Sequence, residues 1–303
     1  SGVEPGKITT GQIVFVLAPR INAVGRMGDA TRAVDLLTCT DDAAADAMSQ
    51  ILEEENRNRR KIDETTFREA QDRVDTSSGG NGMPAIVLYD ERWHPGVIGI
   101  VASRLTEKYY RPTVMLTSVD GVAKGSARSI MGFDIHTALK RVEHTMIQFG
   151  GHKYAAGLSV RLDRIDEFRE AFNAVVRELM TDAIRTPELK IDAEIGFSEL
   201  TPRFFRILKE FAPYGPGNMR PIFLTRNVEV SGTARIVGKD HLRFRVKQDG
   251  NAIDAIGFNL GGLIGDIAGD GTALDIVYSV DEHEWPTRSG GNAPSAVTPQ
   301  LKI

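Results

Sequence analysis

Residues 150–157 read Gly-Gly-His-Lys-Tyr-Ala-Ala-Gly. Glycines let the backbone come close to a ligand and adopt positive φ, and the two alanines leave almost no bulk. Such a loop could place backbone N–H groups on phosphate oxygens, with His152 and Lys153 adding donors and charge. The same composition also suits a small-residue packing turn. Two other segments share this character. Trp93-His94-Pro95-Gly96-Val97-Ile98-Gly99 lies between a predicted strand and a predicted helix, where glycines and a helix N-terminus could hold an anion. Gly125-Ser126-Ala127-Arg128-Ser129 ends a predicted strand. There Ser126 and Ser129 can donate to phosphate and Arg128 can grip it with two N–H groups. An ordinary strand–helix turn and a surface arginine among small neighbours are the plainer readings.

A further chemical signal lies downstream. Between Arg203 and Lys247 there are ten Lys or Arg against three Asp or Glu, in a chain of net charge -4. Arg243, Arg245 and Lys247 alternate with Leu242, Phe244 and Val246, so a strand there would be basic on one face and apolar on the other. A basic strand face suits a single-stranded nucleic acid; a solvated strand face is the alternative. Phe204, Phe205 and Tyr214 are candidates either for base stacking or for the core.

The elements that must position these residues follow from periodicity. Residues 8–37 alternate short apolar runs with Gly and Pro, too broken for one long helix. A helix starts near Thr40-Asp41-Asp42 and runs to about Val74. Its middle, 53–61, is charged on all sides, as in a solvated connector or in two helices joined by a polar turn. Ser77 to Gly82 is a break. The pattern then predicts strands at 85–89, 112–117, 122–129 and 158–160, with helices at 96–109, 135–142 and 165–180. From Pro187 the texture becomes β. Leu189, Ile191, Ala193 and Ile195 alternate with polar residues, and strands are predicted at 222–237, 242–246, 251–258 and 273–281. With one short helix near 202–211, this predicts a small β-barrel. Residues 286–296, rich in Pro, Ser and Gly, read as a mobile barrel loop.

Composition limits the alternatives. The chain has 303 residues with 41% apolar content, enough for two or three globular units. The net charge of -4 argues against a wholly basic nucleic-acid binder, so any anion-binding surface must be local. One cysteine, Cys39, permits no intrachain disulfide and no cysteine-based zinc site. No apolar stretch approaches the roughly 18 residues of a membrane span, the start lacks the features of a signal peptide, and a cytoplasmic setting is expected. The start without Met and the end inside a predicted strand read as the ends of a cut piece.

The order of the motifs is more specific than any one of them. "WHPGVIGIVASRL", "GSARS" and "GGHKYAAGLS" resemble the DHH-associated domain of the RecJ single-strand-specific exonucleases, within the DHH phosphoesterase superfamily. "APRINAVGRM" at 18–27 resembles the end of that family's DHH domain. "PYGPGNMRPIF" at 213–223 resembles the start of its oligonucleotide-binding (OB) barrel, and "PQLKI" its last strand. The resemblance implies four parts: a DHH-domain remnant over 1–39, a connector helix over 40–76, an α/β DHH-associated mixed sheet with helices over 77–184, and an all-β OB-fold barrel over 185–303.

The resemblance also implies the C-terminal portion of a 5′-to-3′ exonuclease on single-stranded DNA, acting in repair and recombination with Mn2+ or Mg2+. The alternatives are a non-catalytic single-strand-binding module and a phosphodiesterase of short oligonucleotides. The family's metal ligands are Asp and His residues upstream, including an Asp-His-His triplet that is absent here. The piece is therefore expected to hold no metal and to be inactive alone. Within the resemblance, His152 is the candidate catalytic residue. The candidate DNA contacts are Arg26, Ser126, Arg128, Gly150, Gly151, His152, Lys153, Arg243, Arg245 and Lys247. Arg26 has a helix-capping or interdomain salt-bridge role as its alternative. The implied partners are single-stranded DNA and, through the family, a helicase or single-strand-binding protein; no membrane is implied.

Overall fold

The computed structural model describes the chain except residues 1, 5, 7, 77–82, 268, 270 and 286–295, and describes side chains outside 282–299. The Ser77–Gly82 break and nearly all of the predicted 286–296 loop therefore fall outside the described residues. Two compact units divide the chain, Ser1–Pro187 and Glu188–Ile303.

The first unit begins with a helical run: α1 (Thr10–Gln12), a π turn over Ile13–Leu17, and α2 (Ala18–Met27). Residues 8–37 are thus not one long helix, as the sequence pattern predicts, although 10–27 run on without a gap before the break at 28–30. The π turn lies just ahead of Pro19, with Ala18 N–H donating to Ile13 C=O, so the wider turn accommodates the amide that Pro19 lacks. α3 (Thr31–Thr38) follows, then α4 (Asp42–Thr76), one continuous helix of 35 residues rather than two. The Asp41 carboxylate starts it by accepting from Ala44 N–H at 2.7 Å.

A mixed sheet comes next, built from β1 (Ile86–Tyr89), α5 (Pro95–Tyr109), β2 (Thr113–Val119), β3 (Val122–Arg128), α6 (Ile135–Arg141), β4 (Gln148–His152), β5 (Ala155–Arg161) and α7 (Ile165–Leu179), with a short α8 (Asp182–Arg185) after it. The strand order is β1-β2-β3-β5-β4. β1 and β2 are parallel across α5, and the remaining pairs are antiparallel. Asp120 and Gly121, both at positive φ, make the tight β2–β3 turn. One sheet face is sealed by α6 and α7 over Val114, Leu116, Ala127, Ala156, Leu158 and Val160. On the other face Met115 packs with Val97, Val101 and Leu105 of α5 and with Ala70 of α4.

The glycine-rich run is not a loop. Gly150, Gly151 and His152 end the edge strand β4, Lys153 and Tyr154 form the hairpin tip, and β5 begins at Ala155. Glycine has no side chain to signal a strand; pairing with β5 supplies the extended geometry instead.

The second unit contains β6 (Ala193–Glu194), α9 (Pro202–Glu210), β7 (Phe223–Val230), β8 (Arg235–Val237), β9 (His241–Gln248), β10 (Asn251–Gly257), α10 (Ile264–Ile267), β11 (Ala273–Trp285) and β12 (Ala296–Lys302). The sheet order β6-β7-β11-β12-β10-β9-β8 closes through a β7–β9 pairing, leaving a five-stranded OB-like barrel with β6 and β8 attached. Phe223, Val228, Leu242, Phe244, Val246, Ala255, Ile276 and Tyr278 fill it. The strand expected across 189–195 shrinks to β6, because Leu189 and Ile191 are exposed and gain nothing from pairing. Among the described residues no helix is long and apolar enough to cross a membrane.

Candidate nucleic-acid interface

Register puts the candidate residues of the first unit on one face. Ser126 pairs with Gly157, and Gly157 with Gly150; Arg128 pairs with Ala155, and Ala155 with His152. Cross-strand partners and residues two apart share a face. Ser126, Arg128, Ala155, Gly157, Gly150 and His152 therefore share the face opposite the buried Ala127, Ala156 and Leu158. α5 packs over β2 and β3 on that side. Beyond it, Ala155, Gly157, Gly150 and His152 are exposed. A Cβ at Gly150 would meet nothing within 4 Å, and one at Gly157 only Gly125 O at 4.0 Å. A floor almost free of side chains thus separates Arg128 from His152 by two strand spacings, about 10 Å.

Gly151 serves a different purpose. Its φ is +150°, and a Cβ there would sit 2.4 Å from Ala155 O. This glycine lets β4 close onto β5. The hairpin tip is anchored as well: Ser129 N–H donates to Tyr154 O and Ile135 N–H to Lys153 O, both at 3.0 Å. The Lys153 ammonium lies 5.3 Å from the centre of the Tyr154 ring. The His152 side chain is exposed and has no hydrogen-bond partner among the described residues.

Arg128 is half-buried and held by neutral groups. Its Nε donates to Ser103 Oγ at 3.2 Å, and its Nη1 to Ser126 Oγ at 2.9 Å and Ala127 O at 2.8 Å. Burial lowers its pKa from the ordinary arginine value, and the nearby positive charge of Arg26 acts in the same direction. A cation in this setting is stabilised by an incoming anion. Gly99 makes the arrangement possible, since a Cβ there would stand 2.9 Å from Ser126 Oγ and 3.0 Å from Arg128 Nη2.

Gly96 admits α2, because a Cβ at Gly96 would lie 2.0 Å from Arg26 O. The reading of residues 93–99 as an anion loop is corrected accordingly. His94 Nδ1 already accepts from Gly96 N–H at 3.1 Å, and the Arg26 backbone covers that turn. Arg26 itself donates from Nη1 to Gly96 O at 3.3 Å.

One arginine was not singled out from the sequence. Burial lowers the pKa of Arg59 on α4, with Arg26 among the charges acting in that direction. Its Nη2 donates at 3.2 Å to Asn56 Oδ1, and Asn56 is fully buried. The signal was the spacing Leu52, Asn56, Arg59, Asp63, Thr66, Ala70, which carries the inward stripe of α4 through its polar middle.

In the second unit Arg243, Arg245 and Lys247 occupy the outer face of β9, as alternation requires. They are not a bare cationic row. Arg243 lies 3.4 Å and Arg245 3.6 Å from Asp254, and Lys247 lies 3.1 Å from Glu229. Asp254 lies beyond the basic 203–247 stretch, and the β7–β9 register sets Glu229 opposite Lys247. Phe204 and Phe205 pack on the barrel core, and Tyr214 donates its hydroxyl to Leu208 O. Among the described residues no group of three or more His, Cys, Asp or Glu side chains is arranged to hold a metal ion.

Residues 82–178 match the DHHA1 domain family and residues 191–290 the RecJ OB domain family. The single-stranded-DNA-specific exonuclease RecJ of Bacillus subtilis is 32% identical over 292 residues, covering 95% of this chain and 37% of that protein. RecJ of Thermus thermophilus is 32% identical over 293 residues, covering 94% of this chain and 42% of its own length. The crystal structure of Thermus thermophilus RecJ with Mg2+ superposes with a TM-score of 0.75 at 29% identity, covering 96% of this chain and 42% of that one. The form with Mn2+ gives 0.74 at 30%, covering 96% and 40%. This chain thus spans between about a third and a half of the length of these relatives. With a DHHA1 domain and a RecJ OB domain in succession, and this likeness over nearly its whole length, the chain belongs to the RecJ family.

Proposed function

We propose that this chain is the C-terminal, substrate-binding portion of a single-stranded-DNA-specific 5′-to-3′ exonuclease acting in repair and recombination. The observation that carries the proposal is the exposed floor Ala155–Gly157–Gly150 between Arg128 and His152. A phosphodiester backbone can lie against main chain there, with Ser126 and Arg128 on one phosphate and His152 and Lys153 on the next. Arg26 adds positive charge beside α5, and the open edge of β4, where outward N–H groups alternate along the strand, supplies a further main-chain donor in the Gly150–Gly151 stretch. His152 donates to the phosphate as its charge grows during cleavage, which makes it the catalytic residue of this portion. β9 of the barrel, through Arg243, Arg245 and Lys247, holds single strand by charge.

A divalent ion, Mn2+ or Mg2+, supplies the activated water in the whole enzyme. Among the described residues no group of side chains is arranged to hold it, and we assign its ligands to the part of the RecJ relatives that this chain does not cover. The reading divides the chain at 1–39, 40–76, 77–184 and 185–303, as remnant, connector, DHH-associated domain and barrel. It places the enzyme in the cytoplasm, where a helicase or single-strand-binding protein would deliver the strand.

Two measurements on the 303-residue chain test this. Fluorescence anisotropy with oligothymidylate should show binding that weakens steeply with salt. Incubation with millimolar manganese should leave the oligonucleotide intact. Salt-insensitive affinity overturns the binding role, and robust degradation overturns the assignment of catalysis to an upstream metal region.

A further inference from the structure

The outer face of the barrel also carries an aromatic pair beside the basic strand. β8, β9 and β10 run antiparallel, with Val237 opposite His241 and Gly257 opposite Leu242. Leu242 is in the core, so His241 faces outward. Phe258 follows Gly257 and meets the imidazole at a centroid distance of 5.2 Å, with the ring planes at 67°. The imidazole is fixed in place. Its Nδ1 accepts from Asn259 N–H at 3.2 Å, and a Cβ at Gly238 would stand 3.3 Å from its Cδ2. Phe258 remains 45% exposed. Leaving much of a phenyl ring in water forgoes the stabilisation that burying it would bring.

Cations flank the pair. Arg235 stands opposite Arg243 on β8, and Lys239 lies in the β8–β9 turn; both are exposed. Among the described residues neither is ion-paired, whereas Arg243 and Arg245 engage Asp254. The Asp240 carboxylate is packed against Gly261, where a Cβ would lie 2.2 Å from Oδ1. The combination is one rigid ring, braced at its edge, with unpaired positive charge beside it. That is too small for a protein partner, whose stable interface needs about 1,200 Å2 or more. It matches one base and its neighbouring phosphates.

We propose that Phe258, braced by His241, is a stacking platform for an unpaired nucleobase, with the adjoining phosphates on Arg235 and Lys239. The platform rests on the reading of the barrel as a single-strand binder. The test compares a short oligothymidylate with an abasic phosphodiester chain of equal length, bound to the full chain and to F258A, F258Y and F258W. F258A should weaken oligothymidylate binding about tenfold, leave the abasic chain unaffected and keep the salt slope, since no charge is removed. F258Y should retain affinity, and the tryptophan of F258W should be quenched by oligothymidylate but not by the abasic chain. Circular dichroism confirms that each exposed-site variant is folded. Equal affinity of F258A and the unchanged chain for oligothymidylate overturns the platform alone, as does an equal loss on both probes. If the unchanged chain binds neither probe, the single-strand reading fails and the platform fails with it.

Discussion

Gly150 and Gly151 are adjacent and chemically identical, yet they do opposite things. Gly150 lies over open space, so its lack of a side chain leaves room for something outside the fold. Gly151 lies against the backbone of β5, so its lack of a side chain is needed by the fold itself. G150V should therefore leave stability within about 0.5 kcal/mol, as for an unconstrained surface position, while a branched side chain on the floor lowers single-stranded DNA affinity about tenfold. G151A should destabilise by about 2 kcal/mol or more, because a methyl group cannot be placed against Ala155 O without moving a strand. Urea unfolding and anisotropy on the two variants check the contrast. Equal stability losses would mean that the floor is not open. The sequence allowed phosphate binding at this run but credited both glycines with one role, because composition does not say which way a strand faces. Arg128 illustrates the same limit: its type was informative, but its support by Ser103 and Ser126 depends on Gly99 from another element.

At the scale of elements, helices with a full apolar stripe were legible, and elements held by partners were not. α5 and α7 carry their inward residues at helical spacing, and the observed helices match the pattern. β4 has no such pattern and exists through its register with β5. β1 shows how an exposed sheet edge is managed. Arg169 Nε donates to Val87 O at 3.2 Å and Arg73 Nη1 to Tyr89 O at 2.9 Å, so arginines of α7 and α4 satisfy carbonyls the edge would otherwise leave unpaired. Asp90 then ties α4 to the connection between β1 and α5. It accepts from Arg92 N–H at 2.9 Å and from the Arg92 guanidinium at 3.0 and 2.8 Å, and it is paired with Arg73. Those hydrogen bonds, Arg92 first, hold its carboxyl well below the usual carboxylate range despite the opposing effect of burial. Because the folded-state pKa is depressed, the stabilisation is present above the unfolded value of about 3.9 and is lost as pH falls toward the folded value. D90N should cost about 3 kcal/mol at neutral pH, since two arginines lose their charged acceptor. The difference between D90N and the unchanged chain should shrink below about pH 4. Urea titrations at neutral and acidic pH measure both quantities; a difference independent of pH would remove Asp90 from the clamp.

For the molecule as a whole, charge placement matters more than net charge. The chain carries -4, and residues 188–303 hold 15 Asp and Glu against 13 Lys and Arg. A polyanion can therefore bind only where cations outnumber their partners locally. In the first unit that condition is met by Arg128, whose contacts are all to neutral groups. On β9 it is met incompletely, because Asp254 engages two arginines and Glu229 the lysine. A phosphate brought to Arg243 or Arg245 would compete with the Asp254 carboxylate, which would weaken its binding. D254N removes that competitor while keeping size and polarity. Exposed and half-exposed ion pairs contribute about 0–1 kcal/mol, so its stability should hardly change. Affinity for oligothymidylate should rise several-fold, and the dependence of log K on log salt should steepen by about 0.7 for each additional phosphate that the freed arginines neutralise. An unchanged affinity and slope would mean that the outer face of β9 does not meet the strand, leaving the barrel's contribution to Arg235, Lys239 and the ring of Phe258.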